Sequence, residues 1–165
     1  MPKTTNQASS APDIAFEAEF VQQLKLIFEE SIVFNRVLGL KVLELSPNAC
    51  TACINMRPDL IGHFNHNRMH GGVISAALDA MGGLAVMAAI GARHMNETIG
   101  ARLSRFNKLG TIDLRIDYLR PASGARFNLH AEVLRLGSRV ASTRMSFLDA
   151  DGQLLSTGAG TYIVS

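Results

Sequence analysis

The residues of this chain best equipped for chemistry are His70, Gly71 and Gly72, followed by a lone carboxylate at Asp79. The two glycines stand where a polar loop passes into the apolar run from Val73 to Ala92. At a helix start their unobstructed N–H groups can point outward, and the helix dipole stabilises negative charge there, such as a carbonyl oxygen becoming an oxyanion. Asp79 lies two turns further on among apolar neighbours, where an unpaired charge costs several kcal/mol, so such a group is paired, neutralised or functional. As general base toward water or as nucleophile it would complete the equipment for acyl transfer. The competing reading is structural: glycines that permit close packing, and an aspartate that pairs with a core arginine.

Two other constellations invite chemistry. His63, His66 and His70 lie within eight residues and could supply three imidazoles to a catalytic zinc, but this spacing on a loop lacks a recognised context, and solvated or hydrogen-bonded loop histidines are commoner. Cys50 and Cys53 form a C-x-x-C without a second ligand pair. In a strand, positions three apart point to opposite faces, so the two thiols are expected to diverge and pack separately.

The elements that must hold these residues follow from the patterning. The 165 residues fit one domain with one core. The net charge of +2 is spread along the chain without a basic run, which disfavours nucleic acid as a partner. Residues 1–14 read as a disordered polar tail without the apolar core of a signal peptide, giving the expectation of a cytoplasmic protein, and residues 15–165 as the folded domain. Apolar residues recur with helical spacing from Phe16 to Asn35. Residues 40–45 and 49–56 read as a hairpin around Ser46-Pro47-Asn48. Residues 73–92 form a helix apolar on nearly all sides, and 93–110 a polar bridge. Four strands follow, at 111–119, 125–134, 140–149 and 154–164. In the first of them Ile112, Leu114, Ile116 and Tyr118 alternate against Thr111, Asp113, Arg115 and Asp117, so Thr111 is expected opposite Leu114. This is an α+β layout with an antiparallel sheet enclosing the long helix. A membrane span is the rival for residues 73–92, opposed by their Ala/Gly content, the central aspartate and the surrounding β patterning.

H-G-G, an Asp nine residues after the His inside an Ala/Gly-rich helix, and G-T-I-D-L-R-I-D-Y-L-R-P at 110–121 together resemble the hotdog-fold acyl-CoA thioesterases of the PaaI type, over roughly Val37 to Val164. The resemblance implies a sheet wrapped around a central helix, with an additional N-terminal helix here. It also implies a homodimer or a dimer of dimers with sites at the subunit interface. By that likeness Asp79 is the catalytic carboxylate, the Gly71 N–H polarises the thioester carbonyl, and His70 orients the loop or the thioester. Thr111 helps position the nucleophilic side, reached from the partner subunit. Relatives often carry an Asn directly after a Gly in the preceding loop; here that place is His63, so Asn65, with Asn67 and His63 as alternatives, is expected to hold the water.

No metal or redox cofactor is expected, and coenzyme A enters only as part of the substrate. Its phosphates need cations or amides, for which Arg135, Ser138 and Arg139 in the R-L-G-S-R turn are candidates beside Gly72 at the carbonyl end. Arg102, Arg105 and Lys108 are further candidates. An apolar acyl pocket is expected from Met81, Leu84, Met87 and Ile90 with Phe20, Leu24 and Phe28, the extra helix favouring medium or long aliphatic chains. Two alternatives remain: a hotdog hydratase or dehydratase, whose D-x-x-x-x-H pattern Asp59-x-x-x-His63 does not meet, and a non-catalytic acyl-CoA or lipid-binding module.

Overall fold

A computed structural model describes residues 15–165; the tail expected at 1–14 lies outside the described residues. The single helix expected over Phe16 to Asn35 is broken into pieces: α1 (Ala18–Leu26), a wider turn (Ile27–Ser31) closed by Ile32 N–H to Ile27 O, and α2 (Val33–Leu38). Ile32 itself is extended. The break has a local cause, because the buried Asn35 side chain donates to Phe28 O at 3.0 Å and so folds α2 back on the turn. Gly39, in the left-handed region, ends α2.

The hairpin follows as β1 (Lys41–Leu45) and β2 (Ala49–Asn55). In the loop beyond, β3 (Ile61–His63) and β4 (Arg68–Met69) make a small two-stranded ribbon. The long helix α3 begins at Gly71, earlier than the apolar run alone implies, and continues to Arg93. The polar bridge contains a short helix, α4 (Ile99–Ser104). The last four strands are β5 (Gly110–Tyr118), β6 (Arg126–Leu136), β7 (Val140–Asp149) and β8 (Leu154–Ile163). They join the hairpin in one antiparallel six-stranded sheet of order β1-β2-β6-β7-β8-β5.

The sheet's inner face wraps α3. Alternate residues Phe127, Leu129 and Ala131 of β6 and Ala141, Thr143, Met145 and Phe147 of β7 are buried, facing Leu78, Leu84 and Ala85 of the helix. α3 is long and apolar enough to cross a bilayer, but its apolar positions are spent inside this core. Ala and Gly dominate it because neighbours come close: a Cβ on Gly91 would sit 2.3 Å from the Phe20 ring, and one on Gly82 2.1 Å from the Tyr162 hydroxyl. Cys50 and Cys53 are both free and buried, on alternate faces of β2 as their spacing requires. Burial pushes the Cys50 thiol up to about 12.

β5 departs from simple alternation. Thr111 pairs with Tyr162 and Asp113 with Thr161, so Ile112 is an extra, bulged residue. The bulge shifts the phase by one. Thr111 therefore shares the helix-facing side with Leu114, Ile116 and Tyr118, contrary to the expected alternation, and Ile112 is 57% exposed.

Candidate active site

Asp79 sits on the flank of α3 that faces the start of β5 and the end of β8. Its Oδ1 accepts from Thr111 Oγ1 at 2.9 Å and from the Tyr162 hydroxyl at 3.2 Å, and the same hydroxyl lies 3.0 Å from the Asp79 carbonyl. Oδ2 has no partner among the described residues. Asp79 thus pairs with hydroxyls, not with a core arginine. Thr111 reaches it within one chain, which corrects the expectation that Thr111 comes from a partner subunit. The cause is the bulge at Ile112, which turns Thr111 inward.

Sequence reasoning missed Tyr162. It is fully buried, and its hydroxyl is held well above the usual phenol range, first by burial and then by the Asp79 charge, so it remains a proton donor toward the carboxylate. Small residues leave room for it: Gly82 on the helix and Gly160 two residues before it on β8 both lie where a Cβ would strike the ring or hydroxyl. That G-x-Y pattern, set against the paired glycines Gly82-Gly83, is the one trace in the sequence.

The helix start forms a second cluster. His70 caps α3: its Nδ1 accepts the Gly72 N–H at 2.9 Å, which requires the neutral ring with its proton on Nε2. Gly72 N–H is thereby occupied, and Gly71 N–H, the first of the helix, finds no acceptor among the described residues. Tyr118 on β5 donates to Gly71 O at 2.9 Å. His63, Asn65 and His66 lie exposed in the loop before the cap, with the two imidazoles 4.7 Å apart. Neither His63 nor Asn65 lines the cleft at Asp79. Among the described residues no three His, Cys, Asp or Glu side chains converge as metal ligands.

These two clusters are far apart within one chain. Eight residues of helix separate Gly71 from Asp79, about 12 Å of rise. A single carbonyl that accepts from an amide at ~3 Å while a nucleophile approaches at ~3.3 Å spans only about half of that.

Beside Asp79 opens an apolar cleft of about 280 Å³. Ala76, Ala80, Gly83 and Met87 line it from α3, Phe28, Ile32 and Phe34 from the N-terminal segment, and Leu109 from the approach to β5. Of the seven residues expected to make an acyl pocket, only Phe28 and Met87 do so. Met81, Leu84, Ile90, Phe20 and Leu24 are packed in the core instead and do not line it.

The expected phosphate ligands disperse. Arg135, Ser138 and Arg139 are exposed around the β6–β7 turn, and Arg135 lines a different surface cleft from Ser138. Ser138 shares a larger cavity with Arg93, His94, Arg105 and Lys108. Arg105 is paired with Glu97. Arg102 is excluded as a phosphate ligand: it is fully buried, bound by both oxygens of Glu17 at 2.8 and 2.9 Å, and lies 4.0 Å over the Phe20 ring.

A sheet wrapped around one helix is matched by known proteins. The profile of the thioesterase superfamily matches residues 66–156, which run from the loop before the cap into the first residues of β8. The chain belongs to the thioesterase superfamily. Within that superfamily it is 35% identical over 146 residues to the medium/long-chain acyl-CoA thioesterase YigI of Salmonella typhimurium, spanning 87% of this chain and 94% of the relative. The Escherichia coli K12 protein of the same name is 33% identical over the same shares. The crystal structure of a Shewanella oneidensis protein related to the thioesterase superfamily superposes with a TM-score of 0.83 at 36% identity, covering 90% of this chain and 97% of the other. The sheet around α3 is accordingly the hotdog fold, with an added N-terminal helical segment, and the chain is a thioester hydrolase.

Proposed function

We propose that this protein hydrolyses medium- to long-chain acyl-CoA to the free acid and coenzyme A, with Asp79 as the catalytic carboxylate. The observation that carries the reading is a carboxylate held by two hydroxyl donors on one oxygen, its other oxygen without a partner among the described residues, at an apolar cleft. Oδ2 either takes a proton from water as that water adds to the thioester carbonyl, or attacks the carbonyl itself to give a mixed anhydride that water then hydrolyses to the free acid; on both routes the C–S bond breaks and the departing thiolate takes up a proton to leave as the coenzyme A thiol. The names of the 33–35% identical relatives support acyl-CoA as the substrate class and the chain length.

The carbonyl is polarised by a Gly71 N–H, which the roughly 12 Å within one chain leads us to assign to a second copy. β5 is an edge strand, paired only with β8, and such an edge accepts another strand. Antiparallel pairing of two β5 strands about a two-fold axis through Arg115 sets Leu114 opposite Ile116 of the other copy and, counted past the Ile112 bulge, Thr111 opposite Tyr118. Thr111 binds Asp79 and Tyr118 binds Gly71, so the carboxylate of one chain then meets the helix start of the other. His70 orients that helix start, and Asn65 or His63 from the same loop holds the water. The coenzyme A phosphates are assigned to the cavity that Ser138 shares with Arg93 and Lys108, with Arg139 beside it on the same turn. The chemistry proceeds without a metal or redox cofactor, in the cytoplasm.

The test is release of free thiol from acyl-CoA, followed with a thiol reagent. The reaction is measurable because Cys50 and Cys53 are buried and Cys50 is far from ionising at neutral pH. Asp79→Asn is expected to lower kcat by about a hundredfold or more. A folded Asp79→Asn enzyme with a near-normal rate overturns the assignment.

A further inference from the structure

The three glycines along the middle of α3 are not alike. Gly82 and Gly91 are demanded by packing, since a Cβ on either would strike Tyr162 or Phe20 at under 2.5 Å. Gly83 is not: its Cβ would meet only Leu109 Cδ2, at 3.9 Å, an ordinary contact. Alanine there would fit, and would remove the conformational cost that glycine carries inside a helix. The space above Gly83 is the middle of the Asp79 cleft.

We infer that Gly83 and Met87 set the acyl chain length, Gly83 by leaving the cleft open and Met87 by ending it. The inference rests on the acyl-CoA hydrolase reading above. On α3 the cleft follows one stripe, Ala76, Asp79, Ala80, Gly83 and Met87, at the i, i+3, i+4 spacing of a single helix face. From Asp79 to Gly83 the helix rises about 6 Å, and from Asp79 to Met87 about 12 Å. An extended carbon chain with bonds of about 1.5 Å advances ~1.25 Å per carbon, so its fifth carbon passes Gly83 and roughly its tenth reaches Met87. Phe28, Ile32 and Phe34 form the opposite wall, and Met87 is a side chain flexible enough to act as a yielding stop.

The experiment compares kcat/KM for butyryl-, decanoyl- and hexadecanoyl-CoA in wild type, Gly83→Ala, Gly83→Val and Met87→Ala, and reads ratios, which cancel any loss of folded enzyme. Each methylene denied the cleft costs about fourfold, so Gly83→Val is expected to lower the decanoyl-to-butyryl ratio by at least about a hundredfold, with Gly83→Ala intermediate. Met87→Ala is expected to raise the hexadecanoyl-to-decanoyl ratio. Ratios unchanged in Gly83→Val, with thiol still released, overturn the ruler and leave the hydrolase reading standing. Affinities of the same variants for S-butyl- and S-decyl-CoA thioethers, which cannot be hydrolysed, are measured in parallel. If wild type releases no thiol but the decyl preference in binding disappears in Gly83→Val, the ruler holds and the hydrolase reading falls. If neither ratio responds, the ruler falls whatever the activity.

Discussion

Thr111 and Tyr162 both hold Asp79 by the same oxygen, which leaves the carboxylate unable to rotate and presents Oδ2 alone for reaction. Hydrogen bonds to a charged group contribute about 1.5–3 kcal/mol each, so Tyr162→Phe is expected to lower kcat by roughly ten- to a hundredfold with little change in KM. Tyr162 also carries a pH signature of its own. Its folded-state value lies above the ordinary 10.0, so above that pH the unfolded chain releases a proton that the folded chain retains. Stability then falls as pH rises, by up to about 1.4 kcal/mol per pH unit, and denaturant titrations of Tyr162→Phe between pH 9 and 11 should lack that slope. Asp79 was legible in the sequence as a charge out of place. Tyr162 was not, because its one trace, the G-x-Y of β8, does not say that the hydroxyl meets a helix 83 residues earlier.

At the scale of elements, the helices and strands announced themselves through their periods, and the places where the reading failed are places where a third element intervenes. The Ile112 bulge inverts the faces of β5 at Thr111, and alternation counts cannot detect one unpaired residue. The N-terminal helix looked continuous because its apolar spacing is continuous, while the Asn35 bond to Phe28 O that breaks it is a contact made only after folding. Arg102 looked like a surface cation on a polar bridge, yet it is the pin that docks α1. Its guanidinium is fully buried between Glu17 and the Phe20 ring, and Phe20 packs onto Gly91 of α3. Arg102→Ala is expected to destabilise the protein by about 2–4 kcal/mol, chiefly through lost packing of the long side chain, as measured by denaturant unfolding. It should also raise KM for decanoyl-CoA, since α1 carries the turn that places Phe28 and Ile32 in the cleft wall. The Arg102 hydrogen bond holds the Glu17 carboxyl below its ordinary 4.5, so this docking is at full strength above that pH and fades as pH falls through the lowered value.

For the whole molecule, the separation of the two clusters decides how many chains make an enzyme. If Asp79 of one copy works with the Gly71 N–H of another, two different inactive variants should repair each other. Gly71→Pro deletes that N–H at the first position of α3, where proline is tolerated, and His70 already has the extended φ −67°, ψ 135° that a following proline requires. Asp79→Asn deletes the carboxylate function. Each homodimer is expected to be at least about a hundredfold less active than wild type, by the cost of one oxyanion donor or one catalytic carboxylate. Mixed at equal amounts and allowed to exchange, half of the dimers become hybrids. In a hybrid one site joins two defects, and the other joins the intact Asp79 of the Gly71→Pro chain to the intact Gly71 of the Asp79→Asn chain. Activity should then rise toward about a quarter of wild type, the share of sites made whole under two-fold symmetry. A mixture that exchanges subunits, shown by mass-labelled hybrids, and stays inactive would mean that each chain completes its own site. The loop from His63 to Met69 would then have to bring Asn65 or His63 across to Asp79 within one chain, over a distance that the capped start of α3 keeps open.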